Sequence, residues 1–89
     1  MTLEEQQEII EMGRNAEALK NNPALEACMD LTMDSLFGNW LATSSEDFNE
    51  RESIWSTAQA LKAFKDSIDV FIANGSMERK NREQLNKNG

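Results

Sequence analysis

The sequence predicts an all-α fold, an antiparallel bundle of three helices in which the third helix is the longest. Three observations support this prediction. Apolar residues recur at spacings of three and four along most of the chain, which is the period of an amphipathic helix. β-Branched residues are sparse, and no segment alternates polar and apolar residues long enough to indicate a strand. Proline occurs once, at Pro23, so few residues can interrupt a helix.

The first helix is predicted from Thr2 or Leu3 to Lys20. Thr2 followed by Glu5 matches a capping box, in which the hydroxyl and the carboxylate each accept a hydrogen bond from a backbone amide of the first turn. Its apolar stripe consists of Ile9, Met12, Ala16 and Leu19, with Ile10 beside it. Because this stripe is thin, we expect the helix to pack on the other two without organising the core.

The second helix is predicted from Pro23 to about Leu41 and is expected to be the central one. Asn22 can cap it, and Pro23 suits the first helical position, where its missing amide removes no hydrogen bond. Gly38 is expected to mark a close helix crossing or a local bend. We expect the single thiol to be buried and structural. The face predicted to be buried is broad and comprises Leu25, Cys28, Met29, Thr32, Met33, Leu36, Phe37, Trp40 and Leu41.

The third helix is predicted from Ser45 or Glu46 to Asn74, and Gly75 is expected to stop it. Phe48, in its first turn, is expected to pack back on the second helix. Two heptad positions are apolar along it, one with Ile54, Leu61 and Ile68 and the other with Thr57, Phe64 and Phe71. The repeat predicts the packing edge of a helical hairpin or a short coiled coil.

Charge and composition change after Gly75. Residues 1–75 are predicted to form the helical bundle domain, and residues 76–89 a flexible or short-helical basic tail that contributes at most a short, loose C-terminal helix. The formal net charge of the chain is −7. Residues 1–74 carry a net charge of −9, and the tail carries +2. Because an acidic body repels phosphate, we expect no direct binding of nucleic acid.

The residue types present disfavour enzymes and membrane proteins. The chain has no histidine, which removes imidazole bases and histidine metal ligands. Glu5, Glu8 and Glu11 lie at helical spacing, but such an array without opposing carboxylates is more often a solvated face than a cation site. We expect no catalytic, cofactor or metal site. With one cysteine and no apolar run of about 18 residues, a cytoplasmic protein is expected, with no membrane partner.

Six residues are candidates for partner binding. Glu46, Glu50 and Glu52 form a local acidic cluster that could meet a basic surface on a protein partner, although solubility alone also accounts for acidic surfaces. Trp55 lies outside the heptad stripe, so it is either a second layer of the core or an exposed anchor. The third helix is expected to outreach the second, which would leave Phe71 and Ile72 partly uncovered and available for self-association into a homo-oligomer.

Four segments contain helix-packing and capping positions, namely Trp40-Leu41-Ala42-Thr43, Asn49-Glu50-Arg51-Glu52, Ala60-Leu61-Lys62-Ala63-Phe64 and Phe71-Ile72-Ala73-Asn74-Gly75. In these segments the chain resembles small uncharacterised helical proteins encoded by tailed bacteriophages. The resemblance covers roughly residues 23 to 80. The resemblance implies an accessory role in a phage particle or in an infected bacterial cytoplasm, and it supplies no catalytic residues.

The function expected from the sequence is that of a non-enzymatic protein-binding or assembly protein, either a phage accessory component or a small inhibitor of a host protein. One alternative is an acidic inhibitor that mimics the charge of nucleic acid, for which the glutamate cluster gives the local support. A metal-dependent enzyme is the alternative from a different class.

Overall fold

The computed structural model describes residues 1–88 and contains three helices: α1 (Leu3–Lys20), α2 (Pro23–Leu41) and α3 (Phe48–Asn88). No strand occurs among these residues, which confirms the all-α prediction. The antiparallel bundle of three helices is not confirmed. The helices instead form two compact units, one built from α1 and one built from α2, each with a different part of α3.

The bounds predicted for α1 and α2 are confirmed, and local hydrogen bonds explain them. The Thr2 hydroxyl accepts a hydrogen bond from the Glu5 amide at 3.1 Å, which caps α1. The Asn22 side chain accepts one from the Ala24 amide at 2.9 Å, which caps α2, and Pro23 occupies the first turn. These side chains satisfy amides that have no partner inside the helix, so they fix where each helix begins.

Helix α3 begins at Phe48, later than the predicted start at Ser45 or Glu46. The Asp47 carboxylate accepts a hydrogen bond from the Ser44 amide at 2.8 Å, which closes a turn over the intervening residues. The Asp47 carbonyl then accepts one from the Arg51 amide at 3.0 Å, as the first bond of the helix. The Asp47 side chain favours a turn that competes with capping by a serine, and in the structure the Asp47 turn forms.

The prediction that Gly75 stops α3 is wrong, because the helix continues through it to Asn88. A glycine that ends a helix usually takes a positive φ, and no glycine among the described residues has one. Gly75 is instead buried beside Gly13 of α1, where the lack of side chains lets the two backbones approach. The close crossing expected at Gly38 is also wrong, since a Cβ atom built there would meet nothing within 4 Å.

The α1 unit consists of residues 1–21 and the part of α3 that begins at Asp66. The two segments run antiparallel, because Gln6 contacts Glu78, Gly13 contacts Gly75, and Lys20 contacts Asp69. Its apolar core contains Ile10, Ala16 and Ile68. The boundary predicted at residue 75 therefore does not coincide with the boundary of this unit.

The α2 unit consists of Asn22–Lys65. Its two helical segments also run antiparallel, since Thr43 contacts Arg51 near the connecting turn while Met33 lies beside Lys62 further along. The broad buried face predicted for α2 is wrong. Within α2, all of which is described, Met29 alone is buried, and Leu25 and Leu36 are half-buried. The other residues of that predicted face are exposed, namely Cys28, Thr32, Met33, Phe37, Trp40 and Leu41.

The two predicted heptad positions of α3 behave differently. Ile68 is buried, and Ile54 and Leu61 are half-buried, so this position faces the neighbouring helices as predicted. Phe64 and Phe71 of the other position are about half exposed, so this position is less covered than the first. Phe48 is 74% exposed and does not pack back on α2 as expected. One row of apolar residues is enough to pack α3, because each part of α3 has one antiparallel neighbour within its unit.

Candidate protein-binding surface

Helix α2 has no continuous polar face, yet nearly all of it is exposed. Apolar side chains are distributed almost evenly around its axis. Leu31, at 68% exposure, and Phe37, at 63%, lie about 120° apart on the helix, and Met29 on a third side is buried. A helix that is apolar all round is normally buried, so the exposed surface of α2 is a candidate binding surface.

A groove runs along one side of the α2 unit. It has a volume of about 300 Å³. It is lined by Met29, Asp30 and Met33 from α2, and by Ala58, Gln59, Leu61, Lys62 and Lys65 from α3. Because both helices contribute residues to the groove, the groove shows which side of α2 and which side of α3 form one common surface of the unit.

Helical spacing extends this side of the unit towards the turn between α2 and α3. Phe37 follows Met33 by four residues, and Leu41 follows Phe37 by four, so the three share one face of α2. On α3, Trp55 precedes Gln59 by four residues and Phe48 precedes Trp55 by seven. All of these large apolar residues are exposed. We call Met33, Phe37, Leu41, Phe48 and Trp55 the apolar flank.

The other end of the same side is charged. Asp30 lines the groove from α2, and Glu26 lies one turn before it on the same face. Lys62 and Lys65 line the groove from α3. The side thus has an aromatic end near the turn and a charged end, with acids on α2 and lysines on α3.

Arg51 holds the aromatic end together. Its Nε donates to the Thr43 hydroxyl at 2.7 Å and its Nη2 donates to the Thr43 carbonyl at 3.4 Å. Its guanidinium carbon lies 4.6 Å from the centroid of the Trp40 ring, which is a cation–π contact. These contacts join the end of α2 to the start of α3 and so position Leu41 and Phe48 relative to each other.

The sequence-predicted residues of the α2 unit are all exposed. Glu46 and Glu50 border a shallow depression before and within the first turn of α3, and Glu52 is exposed nearby. Trp55 is 63% exposed, so the alternative that it forms a second core layer is wrong and the exposed position is found. Arg51 lies between Glu50 and Glu52 in sequence, which places a positive charge within the acidic cluster.

Phe71 and Ile72 belong to the α1 unit, and the expectation that they are partly uncovered agrees with their exposure. Helix α1 packs on this part of α3, Ile72 is half-buried and Ile68 is buried. Phe71 remains 47% exposed and lines an open groove with Ile9, Met12 and Met77. The structure therefore does not bring Phe71 and Ile72 together with the other candidates in one unit.

Four flank residues were not predicted as binding residues: Met33, Phe37, Leu41 and Phe48. Their apolar character assigned them to packing within the bundle, since periodicity identifies an apolar face but not what covers it. The available signal was the composition of α2, whose apolar residues surround the whole helix and so exceed what one neighbouring helix can cover.

Neither a metal-binding group nor a membrane-spanning helix is found among residues 1–88. No three histidine, cysteine or acidic side chains in this range group so that they could hold a metal ion. None of its helices combines the length and apolar character that crossing a membrane requires. No protein-family model, curated protein or solved structure matches the chain.

Proposed function

We propose that the chain is a non-enzymatic protein-binding or assembly protein and that the apolar flank is its binding surface. The observation that carries this proposal is the exposure of α2, a helix with apolar residues on every side and one buried residue. Contiguous exposed apolar patches above a few hundred Å² are uncommon on monomers and mark interaction sites. The apolar flank brings five large apolar residues to one side of the α2 unit, each at least 44% exposed.

The residue types of the flank suit tight binding. Aromatic side chains contribute large contact areas for few rotatable bonds, and tryptophan is enriched among residues that dominate binding energy. Trp55 and Phe37 supply these anchors from two different helices. Met33 adds a side chain that adapts its shape to a partner, and the Arg51 contacts hold the two helices at the aromatic end.

The biological setting that we propose follows the resemblance to phage proteins. The chain acts either as an accessory component of the virion or as an inhibitor of a host protein in the infected cytoplasm. Both settings require a protein partner and no cofactor. An acidic nucleic-acid mimic has weaker support, because Arg51 interrupts the acidic cluster and the apolar flank has no role in charge mimicry.

Affinity capture with matched variants tests the proposal. Trp55→Glu and Phe37→Glu place a charge on the flank, whereas Leu31→Glu places the same charge on an equally exposed part of α2 that lies outside it. In cells that express the chain, proteins that cross-link to the wild type should not be captured by either flank variant. The same proteins should still be captured by the control, Leu31→Glu. Far-UV circular dichroism should show that all three variants remain helical.

A second arm separates the flank from the acidic cluster. Reversal of Glu46 and Glu50 to lysine changes the acidic cluster away from the flank face and should leave capture unchanged. Glu52 is kept, because it lies one turn from both Phe48 and Trp55. Loss of capture on charge reversal, with retention by the flank variants, would overturn the proposal in favour of the acidic surface.

A further inference from the structure

We propose that the partner of the apolar flank is a second copy of this chain, bound so that α2 of each copy lies over the α3 segment of the other. This inference rests on the proposed function of the flank as a binding surface. The two α2 units then form a bundle of four helices in which every helix has antiparallel neighbours.

The area of the flank fits what a stable dimer requires. Phe37, Phe48 and Trp55 are each exposed by more than half, and Leu41 by 61%. With full aromatic burial of 150–250 Å² per ring, the flank offers on the order of 500–700 Å² of apolar surface per copy. A standard interface buries about 800 Å² per partner, so the flank and its charged end together supply a complete interface.

The contacts within the α2 unit show which residues lie at the same height along the helices. Asp30 and Lys62 line one groove, and Thr43 contacts Arg51 at the opposite end. A two-fold axis parallel to the helices keeps every residue at its height when it generates the second copy. Asp30 of one copy then faces Lys62 of the other, and Phe37 faces Trp55.

Charge selects this axis over the alternative. Glu26 and Asp30 on α2 meet Lys62 and Lys65 on α3 of the other copy, while the aromatic ends meet each other. A two-fold axis perpendicular to the helices would reverse the heights and place the charged end on the aromatic end. In that arrangement the charged side chains lose hydration without gaining an ionic partner. The cost of this desolvation exceeds the free energy gained from apolar burial.

The acidic charge of the whole chain does not oppose this pairing at physiological ionic strength. The α2 unit carries seven acidic and three basic side chains, and two of those basic side chains lie at the charged end. Repulsion between exposed charges separated by more than about 8 Å is screened in 0.15 M salt, whereas facing charges at a contact still attract.

Sedimentation equilibrium of the full chain tests the stoichiometry. At micromolar concentrations the wild type should have twice the chain mass of 10.1 kDa. Phe37→Glu and Trp55→Glu should remain monomers, and Leu31→Glu should form the dimer. A wild type that stays monomeric at about 200 µM overturns the inference, and capture of another protein through the flank would then leave the proposed function intact.

Mixing of charge variants tests the orientation. Asp30→Lys alone sets the introduced ammonium against Lys62 of the other copy, and Lys62→Glu alone sets the introduced carboxylate against Asp30. Each homodimer should therefore weaken about ten-fold or more. In an equimolar mixture the heterodimer brings the two introduced charges together and keeps one original pair, so its affinity should return to near the wild-type value. Mixing leaves contacts within each chain unchanged, so the recovery reports only on contacts between copies.

Glu50→Lys is the matched control, since it changes the charge equally on the opposite side of α3 and should leave the dimer unchanged. A dimer that is insensitive to the flank variants shows an interface elsewhere and overturns the inference. A dimer that the flank variants abolish but that shows no recovery on mixing overturns the proposed orientation.

Discussion

Gly13 and Gly75 cross so closely that neither position has room for a side chain. A Cβ atom built on either glycine would lie 2.8 Å from the Cα atom of the other. The neighbouring atoms are also backbone, with the Phe71 carbonyl oxygen 3.0 Å from the Cβ of Gly13 and the Ile9 carbonyl oxygen 3.2 Å from that of Gly75. Backbone atoms cannot move aside as a flexible side chain does, so the crossing fixes how α1 packs on α3.

Alanine at either glycine should therefore destabilise the α1 unit. Alanine is favoured over glycine within a helix by about 1 kcal/mol, but overpacking a tight contact costs about 1–3 kcal/mol and here involves two backbones. We expect Gly13→Ala and Gly75→Ala each to lower the free energy of unfolding by about 1–2 kcal/mol in urea titrations. Gly38→Ala, where nothing lies within 4 Å, should raise it by about 0.5–1 kcal/mol. Equal effects at Gly75 and Gly38 would show that the crossing does not form.

The end of α3 also stabilises the α1 unit, through a buried amide. Gln6 is 7% exposed, and its Nε2 donates to the Glu78 carboxylate at 3.1 Å while its Oε1 accepts from Arg82 Nε at 3.1 Å. Arg82→Ala removes that donor, which should cost about 1–3 kcal/mol of unfolding free energy. Lys20→Ala breaks an exposed ion pair with Asp69 and should cost less than about 1 kcal/mol.

The same contacts change the expectation for the last residues of the chain. The sequence predicts that residues 76–89 form a flexible or short-helical tail. Because Glu78 and Arg82 bond to Gln6, we expect their removal to lower the melting temperature and to speed amide exchange in α1. An unchanged melting curve after truncation would contradict the role of this segment.

The bounds of α1 and α2 could be predicted from the sequence because their signals are local. Thr2 and Asn22 cap amides within three residues, and Pro23 acts at its own position. The role of Gly75 could not be predicted in this way. A glycine can end a helix or allow a close crossing, and the choice here depends on Gly13, which is distant in sequence.

The candidate surface was predicted only in part, for a related reason. Trp55 was recognised as a possible anchor because it lies outside the heptad stripe. Phe37 and Leu41 were assigned to the core, since an apolar face looks the same in sequence whether the chain itself or another molecule covers it. Whether the chain itself covers the face depends on how many helices pack against each helix, which is a property of the tertiary structure.

Core and exposed positions of the heptad repeat should respond differently to truncation. Ile68 is 6% exposed, so Ile68→Ala should cost about 2–4 kcal/mol of unfolding free energy. Phe64 is 49% exposed, so Phe64→Ala should cost well under the roughly 3–5 kcal/mol of a buried phenylalanine. Chemical denaturation of both variants measures the difference. A larger loss at Phe64 than at Ile68 would show that the other heptad position faces the core.

The emission of Trp55 should report whether the apolar flank becomes covered. Trp40→Phe leaves Trp55 as the sole indole and keeps an aromatic ring beneath the Arg51 guanidinium. Trp55 is 63% exposed in the single chain, so a dilute sample should emit as a hydrated indole. When a second copy covers the flank, the ring moves from water to an apolar contact. Its emission should then shift to shorter wavelength with less quenching by iodide, over the concentration range in which the mass doubles.

The other tryptophan supplies the control for this measurement. Trp55→Phe leaves Trp40, which lies beside Arg51 and outside the apolar flank, so its emission should change less as the concentration rises. Because each variant keeps one indole and an aromatic ring at the other position, the comparison separates burial of the flank from a general effect of association. If the mass doubles while Trp55 emission stays constant, the copies associate through a surface that does not include the flank.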